Sequence, residues 1–330
     1  MTPPFVKLLL PLAVVACRTA PSPPPRPAAT GQVTTAEAIS FLGTPLERPV
    51  LPDETRRRFE EALAEARQRT YAEPDNPDAL IWLGRRTAYL GRFRDAIDIF
   101  TRGIQRHPRD ARFYRHRGHR YITVRELDHA IADLERAASL ADGEDEIEPD
   151  GLPNARNVPT STLQSNIWYH LGLAHYLKGD FERALRAYRE CLEVSKNPDM
   201  LVATSHWLYM TLRRLGRDTE AARVLEPIRA DLDVIENGAY HRLLLMYKGE
   251  LAVDSLLPSA STGALDDVST AYGVGNWYLY RGDTTRARAI FEQIVAAGNW
   301  PAFGAVAAEA ELARTARVRG QGPRGGSGKP

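Results

Sequence analysis

The sequence predicts an all-α protein built from stacked pairs of antiparallel helices. Gly84 and Gly118 occupy the same place in two consecutive copies of one helical pattern. On the second helix of each copy, Ala96 and Ala130 recur at the same spacing. Three turn glycines further along the chain are evenly spaced at nearly the same interval: Gly216, Gly249 and Gly282. A period of roughly 34 residues is typical of helix–turn–helix units that cannot bury their apolar faces alone and therefore stack into a solenoid.

Residues 1–16 are predicted to be a signal peptide. Lys7 precedes an apolar run that is far shorter than the roughly 20 residues a membrane-spanning helix needs and has the length of a signal-peptide core. The sequence Val-Val-Ala-Cys at 14–17 resembles a bacterial lipobox, and this resemblance implies that Cys17 is lipidated and becomes the mature N-terminus. Arg18, which is not aspartate, then favours the outer membrane, facing the periplasm. The alternative is an ordinary secretory signal in which Cys17 has no role.

The next two segments are a tether and a cap. Residues 17–52 begin with a proline-rich stretch that cannot pack, so they are predicted to form an extended tether. Residues 53–76 are predicted to contain one amphipathic helix, which places Phe59, Leu63 and Ala66 on one face. This helix would cap the N-terminal end of the solenoid.

Residues 77–144 hold the first two repeats. A glycine inside a helix costs about 1 kcal/mol relative to alanine, so Gly84 and Gly118 indicate close contact between paired helices. Gly91 is expected to end the first helix in the left-handed conformation. Arg117 occupies a position that is usually apolar, which suggests irregular packing of the second repeat.

An insertion at 145–164 separates the second repeat from the third. Insertions in repeat arrays project from one edge, which is often the binding edge, although an ordinary surface loop is an equal alternative. The segment begins with an acidic run that lacks the spacing of a calcium-binding loop and is therefore interpreted as solvated charge. This run comprises Glu144, Asp145, Glu146, Glu148 and Asp150.

Residues 165–318 are predicted to hold four further repeats and a C-terminal helix, followed by a disordered tail at 319–330. The third repeat covers 165–198 and the sixth covers 268–301, and both keep the full pattern. The fourth, 202–235, has Tyr209 in place of the helix glycine, which predicts looser packing. The fifth is degenerate.

The order of a large residue, a glycine, an alanine and an aromatic residue or leucine within each period resembles the tetratricopeptide repeat (TPR) family. The resemblance covers about residues 77–301. It implies a right-handed superhelical solenoid of TPR helix pairs, in which the first helix of each pair lines the concave face. It also implies a scaffold that binds other proteins.

The repeat register places a basic and aromatic set of side chains on that concave face, with no acidic residue among them. Such a lining suits an acidic peptide, a C-terminal carboxylate or an anionic glycan, since arginine offers forked donors to carboxylates. The alternative is a polar lining without a specific ligand. The centre of the predicted site is Arg112, Arg115, His119, Tyr169 and Tyr176. The whole set is Arg85, Tyr89, Arg112, Arg115, His119, Asn166, Tyr169, Tyr176, His206, Met210, Arg213, Arg214, Tyr272, Asn276 and Tyr280.

Composition and motifs argue against other functions. The chain has 43 basic and 42 acidic residues, so no overall field favours nucleic acid. His116 and His119 share a helix face, but two ligands are too few for a catalytic metal, which needs about three. Cys191 is expected to be a buried, inert thiol. We therefore predict neither enzymatic activity nor a cofactor or metal.

Two functions remain open from the sequence. The first is a membrane-tethered scaffold of the bacterial cell envelope that binds a protein or peptide partner; the basic groove suits an acidic one. The second is a lipoprotein that captures a glycan or a small molecule, although capture lipoproteins with similar helix pairs are usually longer and carry large insertions.

Overall fold

The computed structural model describes residues 36–141, 147–148, 152–256 and 268–320, with side chains described as far as residue 316. It confirms the all-α fold class, because within these ranges the only sheet is a two-stranded hairpin. The strands are β1 (Ala36–Ile39) and β2 (Pro45–Glu47). The helices are α1 (Asp53–Ala72), α2 (Pro77–Tyr89), α3 (Phe93–Arg106), α4 (Ala111–Thr123), α5 (Leu127–Leu140), α6 (Leu163–Lys178), α7 (Phe181–Val194), α8 (Pro198–Arg214), α9 (Asp218–Val224), α10 (Gly238–Lys248), α11 (Val268–Tyr280), α12 (Thr284–Ala296) and α13 (Phe303–Gly320), with a 3₁₀-helix at Val253–Ser255.

Four regular helix pairs are held together by a glycine facing a bulky side chain. The pairs are α2–α3, α4–α5, α6–α7 and α11–α12. A Cβ atom on Gly84 would lie 2.3 Å from Phe100 Cε1, and one on Gly118 would lie 2.8 Å from Leu134 Cγ. Both distances are too short for a real contact, so the glycines are there because a ring or a leucine packs directly on the helix backbone, as the sequence predicts.

The fourth pair departs from this geometry at the position where Tyr209 replaces glycine. Its second helix, α9, has only seven residues. Tyr209 is buried and stacks on Tyr247 of α10, with ring centroids 4.5 Å apart. The Tyr209 ring thus packs toward the next repeat, and the described residues after α10 form a short 3₁₀-helix where the regular pairs have a full second helix.

The turns between paired helices repeat one backbone device. Gly91, Gly179 and Gly282 all have positive φ angles, between 72° and 90°, as the left-handed ending of a helix requires. In the second pair the same position is Arg125, at φ 69°. A non-glycine residue in this conformation is uncommon, and its side chain has a structural role described below.

The predicted tether is too long at its C-terminal end. Residues 36–47 form the β1–β2 hairpin, in which Ala38 is buried against α2 and α3 residues. The buried carboxylate of Glu37 pairs with Arg48 at 2.8 Å and accepts a hydrogen bond from the Arg94 amide at 3.0 Å. These contacts fix the hairpin to the repeats, so a segment from residue 36 is part of the folded unit. The signal peptide, Cys17 and the proline-rich run lie outside the described residues, as does the predicted tail from residue 321.

The C-terminal helix α13 turns inward. It packs on α12, α11 and α6, and its residues from Gly304 to Glu311 are all buried. Small side chains permit this, because a Cβ on Gly304 would lie only 2.4 Å from the Val268 carbonyl oxygen. Since α6 and α11 are first helices of their pairs, α13 occupies the face that the sequence assigns to a partner.

Candidate functional site

The predicted groove residues lie on the first helices α2, α4, α6, α8 and α11, but the groove has two unlike halves. Toward the C-terminus most of them are buried, and toward α2 and α4 most are partly exposed. The buried members are Arg115, Tyr169, Tyr176, His206, Met210, Tyr272 and Asn276. The partly exposed members are Arg85, Tyr89, Arg112, His119, Asn166, Arg213, Arg214 and Tyr280.

Helix α13 closes the C-terminal half. The Tyr272 hydroxyl donates a hydrogen bond to the Tyr176 hydroxyl at 2.9 Å, and both rings are fully buried. Glu311 of α13 pairs with Arg214 of α8 at 2.5 Å and with Arg314. Burial opposes ionisation of Glu311, but the two arginines more than offset it, so its pKa lies below the ordinary value. Tyr176 and Tyr272 therefore face the chain's own helix and are not open to a partner.

Arg125 holds α13 to the second repeat. It is buried and contacts the Glu309 carboxylate at 2.8 Å, the Thr123 carbonyl at 2.6 Å and the Trp300 carbonyl at 3.0 Å. Glu309 also accepts a hydrogen bond from the backbone amide of Phe41, which lies in the turn of the hairpin. The left-handed backbone at Arg125 thus directs its side chain into a junction of the α4–α5 turn, α13 and the hairpin.

The prediction that no acidic residue lines the groove is wrong. Glu148, from the insertion, is buried and lies 3.0 Å from Arg115 Nε and 3.3 Å from His116 Nε2. It also accepts a hydrogen bond from Asn166 at 3.1 Å. The interpretation of the acidic run as solvated charge therefore fails at Glu148, because the insertion carries this carboxylate to the arginine. The other four acidic residues of the run lie outside the described residues.

Arg112 is also neutralised within the chain. It donates to Asp110 at 2.7 Å and to Asp78 at 2.7 Å, across two repeats. The hydrogen bond with Asp110 is the main cause that raises its pKa above the ordinary value for arginine. Arg117, the residue in an apolar position, makes two 2.7 Å contacts with Asp133 on α5. The irregular position is thus an ion pair between the two helices of the second repeat.

The open half of the groove holds a cluster of cationic and imidazole side chains, which we call the cationic chamber: Arg85, Arg115, His116, His119, Arg120 and His170. The rings of His119 and His170 lie 4.3 Å apart, and Phe303 of α13 contacts both. Burial, with neighbouring arginines, lowers the pKa of His119 and His170 well below the ordinary value, so both are neutral at pH 7. The charge of the chamber at that pH is carried by its three arginines.

Arg120 was missed by the repeat register. Burial has the largest effect on Arg120, whose pKa is lowered to about 10. Its two arginine neighbours also lower the pKa, and the Tyr89 phenol opposes them. The sequence could have indicated Arg120, because it lies one helical turn after His116 and next to His119. The register used only three positions of α4, and Arg120 falls one residue beyond the last of them.

A small cavity of about 150 Å³ opens beside the chamber. Ligand pockets for small molecules usually measure about 300–1,000 Å³, so this one suits a side chain better than a metabolite. Its wall combines aromatic, apolar and charged residues of α2, α4, the insertion and α6: Asp78, Ile81, Trp82, Arg85, Arg112, His116, Ile147, Glu148 and Leu163.

Three further features bear on metal binding, thiol reactivity and membrane spanning. Over the ranges that the structure describes, no three His, Cys, Asp or Glu side chains gather in a way that could hold a metal ion. Cys191 is buried and hydrogen-bonded to Thr204, and burial raises the pKa of its thiol to about 11. Such a thiol is inert at neutral pH. Among the described helices none has the length and apolarity to cross a membrane.

Comparison with known proteins identifies the repeats. A tetratricopeptide repeat model matches residues 85–145, and a second one matches residues 165–198. No curated protein matches the sequence. The structure is similar to that of MamA, with 20% identity, a TM-score of 0.40 and coverage of 62% of this chain and 92% of that one.

Two further solved structures are similar. YrrB, described as a TPR protein with an unusual peptide-binding site, has 13% identity, a TM-score of 0.40 and coverage of 77% and 97% of the two chains. TTC0263, a thermophilic TPR protein from Thermus thermophilus, has 21% identity, a TM-score of 0.42 and coverage of 57% and 91%. The two family matches identify tetratricopeptide repeats at residues 85–145 and 165–198 of this helix-pair chain.

Proposed function

We propose that this protein is a membrane-tethered TPR scaffold of the bacterial cell envelope, which binds an acidic segment of a partner protein. The binding surface is the α2–α4 half of the groove, since α13 occupies the other half. The observation that carries the proposal is the strip of partly exposed aromatic and basic side chains on α2, which borders the small cavity: Trp82, Arg85, Arg86 and Tyr89.

The chemistry of this strip favours a peptide segment. The guanidinium groups of Arg85 and Arg86 lie 4.3 and 4.8 Å from the Trp82 ring centroid, so the indole and the two cations form one surface. Aromatic and arginine side chains dominate the binding energy of protein interfaces. Next to the strip, Ile147 exposes 64% of its surface. A chain segment with an acidic and an apolar residue would contact all of these groups.

Glu148 supports the acidic character of that segment. Its carboxylate reaches the groove from the insertion and pairs with Arg115 and His116. The groove therefore already binds one carboxylate of its own chain. The tether rests on the sequence alone, on the short apolar run that ends at Cys17.

The experiment compares two double variants of the full chain in capture from detergent-solubilised envelopes. Trp82→Ala with Arg85→Ala removes the strip, whereas Arg102→Ala with Gln105→Ala changes exposed residues of α3, a second helix. Hydrogen bonds to charged groups contribute about 1.5–3 kcal/mol, so the strip variant should recover a partner at least tenfold less well than the control. The wild-type chain should sediment with the membrane fraction.

Three results would contradict the proposal. Equal recovery of the partner by both double variants would place binding on another surface. Recovery of no stoichiometric protein would favour the capture of a glycan or small molecule. A wild-type chain that stays in the soluble fraction would exclude the lipid tether.

A further inference from the structure

Arg120 differs from five arginines that lie in the groove or at its junction with α13. These five, buried or partly buried, each pair with a carboxylate: Arg112 with Asp110, Arg115 with Glu148, Arg125 with Glu309, and both Arg214 and Arg314 with Glu311. Arg120 has no carboxylate within ion-pair distance in the part of the chain that the structure describes. Its guanidinium lies instead 5.7 Å from the centroid of the Phe93 ring.

The surroundings of Arg120 increase the cost of its charge. Two further cations, Arg85 and Arg115, disfavour its charge, and Arg115 also contacts Glu148. Its histidine neighbours are neutral at pH 7 and bring no negative charge, because burial lowers the pKa of each. Removing a cation from water without an anion is costly, and an anion at hydrogen-bond distance would offset that cost.

The side chain of Arg120 can be reached from solvent. Arg120, Arg85 and Tyr89 are each partly exposed, and they come from the C-terminal halves of α2 and α4. The guanidinium of arginine presents two parallel N–H donors that match the two oxygens of a carboxylate or a phosphate.

We propose that Arg120, within the cationic chamber that it shares with Arg85, forms a binding site for one oxyanion, a carboxylate or a phosphate group. The site lies in the same half of the groove as the proposed partner surface and so deepens the proposed function, on which it rests. It is separate from the position that Glu148 already fills. An anion bound there gives Arg120 the counter-charge that the other five arginines find within the chain.

The test uses the full chain purified in detergent and three probes: potassium phosphate, potassium acetate and a hexaglutamate peptide. Binding is followed by the shift in melting temperature against potassium chloride at equal ionic strength. The wild-type chain should be stabilised in a saturable way, and Arg120→Gln should bind at least tenfold more weakly. Arg109→Gln, which removes one exposed positive charge just before α4, should behave as the wild type.

The probes separate the two sources of the oxyanion. Stabilisation by phosphate alone assigns a phosphate group, whereas stabilisation by acetate and hexaglutamate assigns a carboxylate. Equal shifts in both arginine variants, or no saturable shift with any probe, would overturn the site. A second measurement needs no ligand: in chloride, Arg120→Gln should melt at the same temperature as the wild type or higher. A marked fall would show that the guanidinium is already satisfied within the chain.

The outcomes also separate this site from the proposed function. A captured protein partner whose recovery does not change with Arg120→Gln would overturn the oxyanion site and leave the scaffold standing. Saturable binding of phosphate at Arg120, without any protein partner, would do the reverse.

Discussion

Burial of ionisable side chains inside the repeats is the dominant feature at the scale of single residues. Glu309 and Glu311 are almost fully buried, yet each has an arginine within 2.8 Å. The imidazole of His206 has no such partner. It is stacked on Tyr240 with centroids 4.6 Å apart, and its Nε2 atom lacks a hydrogen-bond partner among the described residues. Burial lowers the pKa of His206 to about 3.

The first prediction is that His206 makes the protein less stable in acid. In the unfolded chain histidine has a pKa near 6.5, so below that pH the unfolded state takes up a proton that the folded state excludes. Stability is therefore complete above about pH 6.5 and is lost as pH falls toward 3. The difference reaches about 2 kcal/mol at pH 5. Urea unfolding at pH 7 and pH 5 should show that His206→Phe loses less stability than the wild type by this amount.

His129→Phe serves as the control, because the His129 side chain is 69% exposed. Its loss of stability between the two pH values should equal that of the wild type. An equal loss in His206→Phe would mean that His206 takes up its proton without unfolding, and that water reaches its ring.

The contact between a glycine and a ring is the unit of structure at the scale of helices. The sequence predicts these contacts correctly because period, glycine and ring all recur along the chain. It also singles out the fourth repeat through Tyr209, and the second helix of that repeat is the short α9. It does not predict α13, since this helix has no counterpart in the repeat. The sequence of α13 also shows no separate polar face, because Glu309 and Glu311 lie among alanines. Both glutamates are buried together with those alanines.

The second prediction concerns Gly84. Alanine is normally favoured over glycine inside a helix by about 1 kcal/mol. Gly84→Ala should nevertheless destabilise the protein by about 1–3 kcal/mol, because the new Cβ would lie 2.3 Å from Phe100 Cε1. The free energy of unfolding in urea measures the effect. Adding Phe100→Leu to Gly84→Ala should restore part of the stability.

Gly238→Ala at the start of α10 is the matched control, because no atom lies within 4 Å of its added Cβ. It should be neutral or slightly stabilising. If Gly84→Ala behaves in the same way, the two helices of the first pair can separate at no cost, and the glycine position does not fix their distance.

At the scale of the whole folded unit, helix α13 covers the C-terminal half of the groove. The repeat register correctly places the predicted residues on first helices, but it treats the concave face as empty. Placement along a helix depends on local spacing, which a sequence shows directly. Occupancy depends on contacts between residues far apart in the chain, such as Arg125 with Glu309, and no periodic pattern encodes them. The hairpin and Glu148 also make contacts with residues far away in the chain. For that reason the sequence predicts neither the folded hairpin nor the buried position of Glu148.

The last prediction is that the unit requires α13 to fold. A chain that ends at Ala302 would expose Tyr176 and Tyr272 and would leave Arg125 and Arg214 without their carboxylates. Burial of one valine or leucine side chain contributes about 1.5–3 kcal/mol, and small domains are stable by only about 5–15 kcal/mol. The loss of Val306, the buried alanines and both ion pairs should therefore abolish cooperative melting, whereas a chain that ends at Gly320 should melt as the full chain does. A chain ending at Ala302 that still melts cooperatively, and that binds a synthetic peptide of residues 303–320 in trans, would contradict this prediction. It would instead show that α13 is a displaceable occupant, and that Tyr169, Tyr176 and Tyr272 can be opened to a partner.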